Sequence, residues 1–112
     1  RYRDRFLIGF FGLRATDEAL IVALEALARR QRQLFVVTLG EDGSLALGGE
    51  GRLACPAVEV GQVVDTTGAG DTFAAGFLRE YWASRDPARS LARGAEEAAG
   101  SVQRLGAFPW DD

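Results

Sequence analysis

The chain has 112 residues and a formal charge of −3, with acidic and basic side chains spread along it. It holds one domain at most and offers no basic stripe of the kind that neutralises a nucleic-acid backbone. It has no histidine and one cysteine, Cys55, which excludes histidine catalysis, histidine metal ligation and an internal disulfide, and leaves any general base to a carboxylate. No stretch approaches the roughly 18 apolar residues of a membrane span and no signal peptide is evident, so a reducing, cytoplasmic setting is expected. The length is short for an enzyme that closes around two substrates. With Arg1 as its first residue and an apolar run from Phe6 to Leu13 broken only by glycines, the chain reads as part of something larger.

Thr16-Asp17-Glu18 places a capping residue and two acids ahead of apolar positions at Leu20, Leu24, Leu27 and Ala28, and Arg29, Arg30 and Arg32 close the segment. This predicts a helix whose charges match its dipole. Leu34 to Leu39 carries no charge and is rich in β-branched and aromatic residues, as a buried strand is. Gly40-Glu41-Asp42-Gly43 is turn chemistry in which Asp-Gly suits a tight hairpin, and Ser44 to Leu47 follows as a short strand. Valines at 58, 60, 63 and 64 make Leu53 to Val64 one or two further strands.

From Ala69 the spacing of Phe73, Phe77 and Tyr81, with Leu78 and Trp82 alongside, predicts a helix, and the aromatic stripe including Trp82 is assigned to the core. Asp86-Pro87 is a cap followed by a first-turn proline, and Leu91, Ala95, Ala98 and Val102 line the helix it starts. Gly106 is placed as that helix's C-terminal cap. Gly94 and Gly100 inside it each cost about 1 kcal/mol relative to alanine, which points to close packing of another backbone.

The run Asp65-Thr66-Thr67-Gly68-Ala69-Gly70-Asp71 falls where a strand gives way to a helix. The first N–H groups of a helix lack internal partners and carry the positive end of its dipole, so such a turn holds a phosphate, and glycine lets the anion approach the backbone. Asp71 sits in the first turn, where a carboxylate is favoured, and is the natural base for phosphoryl transfer. Taken alone, Gly-x-Gly-Asp fits a plain capped turn about equally well. A P-loop would need Gly-Lys-Ser/Thr, and a dinucleotide fingerprint would need glycine at Phe73; both are absent.

Extended to Val63-Val64-Asp65-Thr66-Thr67-Gly68-Ala69-Gly70-Asp71-Thr72-Phe73-Ala74-Ala75-Gly76-Phe77, the run resembles the C-terminal signature of the PfkB, or ribokinase-like, carbohydrate kinases. Val37-Thr38-Leu39-Gly40-Glu41-Asp42-Gly43 resembles the family's strand and turn against the nucleotide, and Arg104-Leu105-Gly106-Ala107 its closing segment, so the likeness covers roughly residues 34 to 107. The resemblance implies that Asp71 is the catalytic base and that the N–H groups of Gly68, Ala69, Gly70 and Asp71 form an anion hole. It also implies that Thr38, Gly40 and Gly43 border ATP, whose phosphates carry Mg2+. For a monovalent cation such as K+ it implies Asp65 and Thr67, with Ser101, Arg104 and Gly106 at the matching places of the closing segment. Ala95 stands where some members have an asparagine near the nucleotide, and Trp110 where some have a small hydroxyl residue.

The expected architecture is a three-layer, ribokinase-like α/β unit, the C-terminal part of that fold, with helices on the faces of a mainly parallel sheet and a hairpin protruding near residues 40 to 48. Residues 1 to 112 are expected to be the nucleotide-binding and catalytic portion, and the activity to be transfer of phosphate from ATP to a hydroxyl of a sugar or sugar-like molecule. The alternatives are a non-catalytic nucleotide-binding or interaction fragment, and a nucleoside or vitamin kinase of the same superfamily. Neither nucleic acid nor membrane is an expected partner.

Overall fold

The computed structural model describes residues 7–14, 16–48, 51–58 and 69–107, with side chains at 70–100 in the last of these stretches. Strands β1 (Ile8–Gly12), β2 (Leu34–Thr38), β3 (Ser44–Gly48) and β4 (Gly51–Cys55) form one sheet in that spatial order, and helices α1 (Glu18–Gln31), α2 (Ala69–Ser84) and α3 (Pro87–Ala107) flank it. β1 and β2 are parallel, whereas β2–β3 and β3–β4 are antiparallel. The described sheet is therefore mixed rather than mainly parallel.

Alternation along the two central strands assigns the layers. Phe35, Val37, Leu45 and Leu47 pack with Ile21, Leu24 and Ala28 of α1, while Leu34, Val36 and Ala46 on the opposite face pack with Phe73, Phe77 and Tyr81 of α2 and Leu91 of α3. Side chains two apart on a strand share a face, so a strand buried on both sides must be apolar throughout. The uncharged segments 34–38 and 44–48 meet that condition, and the three-layer arrangement follows.

Several local expectations are corrected. The 40–48 hairpin does not protrude: β3 lies between β2 and β4 and is buried along its length. Its connection to β2 is a single 3-10 turn over Gly40–Asp42, with positive φ at Gly40 and Gly43 rather than at Asp42. The glycine-broken run near the N-terminus is β1, a strand that its composition does not announce. In α1 Leu24, Leu27 and Ala28 face the core as expected, but at its start Ile21 takes the inward place and Leu20 is turned out. Trp82 is 75 % exposed. The Arg85 guanidinium lies 4.9 Å from the centroid of its ring, a surface cation–π contact in place of core packing. Gly106 does not cap α3, which continues to Ala107. The strand expected over Leu53 to Val64 is seen as β4 ending at Cys55, and residues 59–64 lie outside the described residues.

The α3 cap stands where the sequence indicates, at Asp86, whereas the cap of α1 is Asp17 and not Thr16 before it. Asp17 accepts from the N–H of Leu20, and Asp86 Oδ1 accepts from the N–H groups of Ala88 at 3.0 Å and Arg89 at 3.3 Å, each satisfying donors that the first turn of a helix leaves open. Arg52 on the outer strand β4 bridges Glu18 at 3.0 Å and Glu25 at 3.1 Å, tying that strand to α1 and raising the guanidinium's affinity for its proton. α2 and α3 are antiparallel neighbours joined through Arg85 and Asp86. Glu80 faces Arg89 and Arg93, Arg79 pairs with Glu97, and Phe73 lies against Gly94.

A methyl group added at Gly94 would stand 2.9 Å from the carbonyl oxygen of Phe73. The glycine is thus a packing requirement, as the sequence suggests. Alanine is the better helix former by about 1 kcal/mol, but overpacking two helices costs about 1–3 kcal/mol. Gly94→Ala is accordingly expected to lower the urea midpoint, and a raised midpoint would contradict the close α2–α3 contact.

Candidate active site

The register brings four residues into one row across the end of the sheet: Gly12 opposite Thr38, Thr38 opposite Ser44, and Ser44 opposite Cys55. β1, β2 and β4 all finish at this row, and ligands of open α/β sheets bind outside the carboxyl ends of their strands. Thr38 is half-buried; its hydroxyl donates to the carbonyl of Phe11 at 3.5 Å and its own carbonyl accepts from the N–H of Leu13 at 2.8 Å. The ends of β1 and β2 are thereby locked together.

Beyond Thr38 the chain turns back at once. The N–H of Leu39 donates to Gly43 O at 2.8 Å, that of Asp42 to Leu39 O at 3.1 Å and that of Gly43 to Gly40 O at 3.2 Å. Gly40 has φ 61° and Gly43 φ 98°, and an added Cβ would come within 2.9 Å of Arg14 O at the first and 2.2 Å of Cys55 O at the second. Both glycines are therefore demanded by the backbone itself. That structural need is sufficient to account for them, whatever else the turn touches.

α2 opens with Ala69, Gly70 and Asp71. Their N–H groups belong to the first turn, which has no internal acceptors for them and carries the positive end of the helix dipole. Asp71 is exposed, and among the described residues a Cβ added at Gly70 meets nothing within 4 Å. In this Gly70 differs from Gly40, Gly43 and Gly94, which are each hemmed in by described backbone.

The pairing of α2 with α3 fixes which end of the sheet this turn occupies. α3 packs on β4, and burial pushes up the thiol of Cys55, the last residue of that strand, with Glu96 standing near enough for its charge to add to the effect. The second half of α3 is thus at the Cys55 end. Since Phe73 lies against Gly94, the start of α2 is carried to that same end, with Thr38, Gly40 and Gly43. Asp65, Thr67 and Gly68 lie outside the described residues, and Ser101, Arg104 and Gly106 enter as backbone positions on the last turns of α3. Ala95 is partly buried against the cluster of Phe73, Phe77 and Leu91.

Three residues at this end escape a reading of the sequence. Ser44 is buried, and among the described residues its hydroxyl has no hydrogen-bond partner; its signal in the sequence is a polar residue opening an apolar strand. Thr16 and Asp42 meet across 26 positions, with the Thr16 hydroxyl donating to Asp42 Oδ2 at 2.8 Å. Among the described residues no group of three or more His, Cys, Asp or Glu could hold a metal ion, and no helix is long and apolar enough to cross a membrane.

The layering, with its loops and a helix N-terminus gathered at the strand ends, defines an α/β unit of the ribokinase type. Residues 6–110 match the pfkB family carbohydrate kinases, and the chain belongs to that family. The match begins at Phe6, so it takes in β1 and α1, which the motif likeness over residues 34 to 107 leaves out. Over 92 residues the chain is 40 % identical to fructoselysine 6-kinase of Shigella flexneri, covering 82 % of this chain and 35 % of that protein. The adenosine kinase of Sinorhizobium meliloti superposes with a TM-score of 0.75 at 37 % identity, covering 88 % of this chain and 31 % of that one. Aminoimidazole riboside kinase from Salmonella enterica, solved with aminoimidazole riboside and an ATP analog, gives a TM-score of 0.58 at 32 % identity over 68 % of this chain and 28 % of its own. The chain spans about a third of the length of these relatives.

The placement of α3 predicts how Cys55 reacts. Because burial and Glu96 both disfavour the thiolate, which is the reactive form, alkylation by iodoacetamide at mildly alkaline pH is expected to be slower than for free cysteine. Glu96→Gln is expected to quicken it. An unchanged rate in Glu96→Gln would mean that the second half of α3 does not lie at the Cys55 end.

Proposed function

We propose that residues 1–112 are the C-terminal, nucleotide-binding and phosphoryl-transfer portion of a carbohydrate kinase that moves the terminal phosphate of ATP to a hydroxyl of a sugar or sugar-like molecule. The observation that carries this reading is the first turn of α2. Among the described residues nothing stands within 4 Å of a Cβ added at Gly70, Asp71 presents an exposed carboxylate, and the packing of α2 on α3 sets both at the end of the sheet where the strands finish. Family membership supports it.

In the proposed step the acceptor's hydroxyl oxygen attacks the γ-phosphorus while Asp71 takes the hydroxyl proton. The bond between that phosphorus and the oxygen bridging to the β-phosphate breaks, and ADP leaves with the bond pair. The N–H groups of Gly68, Ala69, Gly70 and Asp71 stabilise charge on the equatorial oxygens of the phosphoryl group in flight, the task a helix N-terminus suits. Thr38 and the Gly40–Gly43 turn border the nucleotide. Magnesium carried on the nucleotide's phosphates neutralises part of their charge when bound. Asp65 and Thr67, with Ser101, Arg104 and Gly106, are the residues proposed for a monovalent cation such as K+, and no step is routed through it.

The acceptor is proposed to be a polyhydroxylated small molecule, in keeping with relatives named for fructoselysine, adenosine and aminoimidazole riboside. Fold and phosphate site do not select among these, so a nucleoside acceptor keeps the same chemistry. A second reading, favoured by the one-third span of the relatives, is that residues 1–112 by themselves bind nucleotide without turning over. Comparing ATP consumption by this chain and by the full polypeptide that carries it separates the two.

The test of the chemistry is ATP consumption by the full polypeptide against a panel of sugars, nucleosides and vitamin alcohols. Asp71→Asn is expected to lower kcat by roughly 10²–10⁴, and undiminished turnover would remove Asp71 from the mechanism. Gly70→Ala is expected to leave the thermal midpoint equal or higher, since its methyl meets nothing within 4 Å and alanine favours the helix. The same change is expected to depress turnover by narrowing the anion's approach. Full activity in Gly70→Ala and in the bulkier Gly70→Val would show that no phosphate comes close to this turn.

A further inference from the structure

We propose that Asp42 is a positioning residue for the nucleotide: its carboxylate pins the Gly40–Gly43 turn to the loop between β1 and α1 and so sets where the turn stands at the end of the sheet. The inference rests on the reading of that turn as the nucleotide's border.

Asp42 Oδ2 accepts two hydrogen bonds from one residue, from the N–H of Thr16 at 3.2 Å and from its hydroxyl at 2.8 Å. Bonds to an ionised acceptor are shorter and stronger than neutral ones. The Asp42 N–H is already committed to Leu39 O within the turn, so this residue is tied both to its own turn and to the neighbouring loop. Two residues earlier on each side the same loops touch again, where a Cβ on Gly40 would come within 2.9 Å of Arg14 O. These are two separate contacts between one pair of loops, and they fix an orientation where a single contact would leave a hinge.

The other end of the link is rigid. Thr16 directly precedes Asp17, the residue that caps α1 through the N–H of Leu20 at 3.2 Å. α1 is held on the sheet by Ile21, Leu24 and Ala28 and by the Arg52 bridges to Glu18 and Glu25. The turn is thus referenced through Asp42 and Thr16 to a packed helix. The transfer groups at the start of α2 are held separately, through Phe73 and Gly94. Loosening the turn should therefore weaken ATP binding while leaving the transfer step intact, because a group that acts only in holding substrate changes KM and not kcat.

The experiment uses the full natural polypeptide carrying this sequence, with ATP as the varied substrate. Asp42→Ala is expected to raise the KM for ATP about three- to tenfold, the range for losing a charge-assisted hydrogen bond at an exposed site, with kcat changed less than about twofold. Asp42→Asn keeps a side-chain oxygen acceptor for Thr16 and is expected to restore most of the affinity. Thr16→Val removes one donor and is expected to raise KM in the same direction, with the double variant no worse than Asp42→Ala alone, as two ends of one interaction behave. Amide hydrogen exchange across residues 39–44, with and without ATP, separates the two layers of the reading. If ATP slows exchange there but Asp42→Ala leaves KM unchanged, or lowers kcat instead, the positioning role is overturned and the nucleotide reading stands. If ATP leaves exchange across the turn unaltered, the nucleotide reading fails and this inference with it.

Discussion

Burial of the β2–β3 pair on both faces is the constraint on which the rest of the chain depends. Leu34, Val36 and Ala46 on one side and Phe35, Val37, Leu45 and Leu47 on the other each need a helical cover, because neither apolar face of a central strand can be left to water. α1 supplies one cover and the α2–α3 pair the other. With β1, β2 and β4 all running the same way, their carboxyl ends and the start of β3 collect in the row Gly12, Thr38, Ser44, Cys55. The candidate site is a consequence of that alignment.

Two supports meet at this row. The turn after Thr38 is referenced to α1 through Asp42 and Thr16, and the first turn of α2 is referenced to α3 through Phe73 and Gly94. Phosphoryl transfer requires little covalent chemistry from the protein and depends on holding donor, acceptor and charge-stabilising groups in fixed relation. Anchoring the proposed nucleotide border and the proposed transfer groups to opposite helical layers of one sheet provides such a relation. The glycines illustrate the difference in roles. Gly40, Gly43 and Gly94 are required by backbone contacts, whereas among the described residues nothing crowds Gly70, as expected where an anion is to come close.

Much of the fold was legible because burial leaves a direct mark on composition. The uncharged 34–39 segment, the Asp86 cap and the Phe73, Phe77, Tyr81 stripe are each read from local pattern, whereas the cap of α1 falls on Asp17, one residue after the expected Thr16. What escaped depends on long-range placement. The glycines at 9 and 12 hid β1, and composition identifies the 44–48 segment as a strand without saying that it lies inside the sheet. In α1 the first member of the stripe is Ile21 and not Leu20, since two adjacent apolar residues leave the choice to packing. Trp82 reads as core until Arg85 supplies a surface partner. For the site, the start of α2 at Ala69 was legible because the aromatic stripe after it has helical spacing. The Thr16–Asp42 link was not, because a contact across 26 positions leaves no periodicity in either segment.

The most direct test of the account is a structure of the full polypeptide with a non-hydrolysable ATP analogue and an acceptor sugar or nucleoside. The γ-phosphate is expected on the N–H groups at the start of α2, the Asp71 carboxylate within hydrogen-bond reach of the acceptor hydroxyl, and the rest of the nucleotide along Thr38 and the Gly40–Gly43 turn. A triphosphate bound elsewhere, with the first turn of α2 empty, would contradict that expectation.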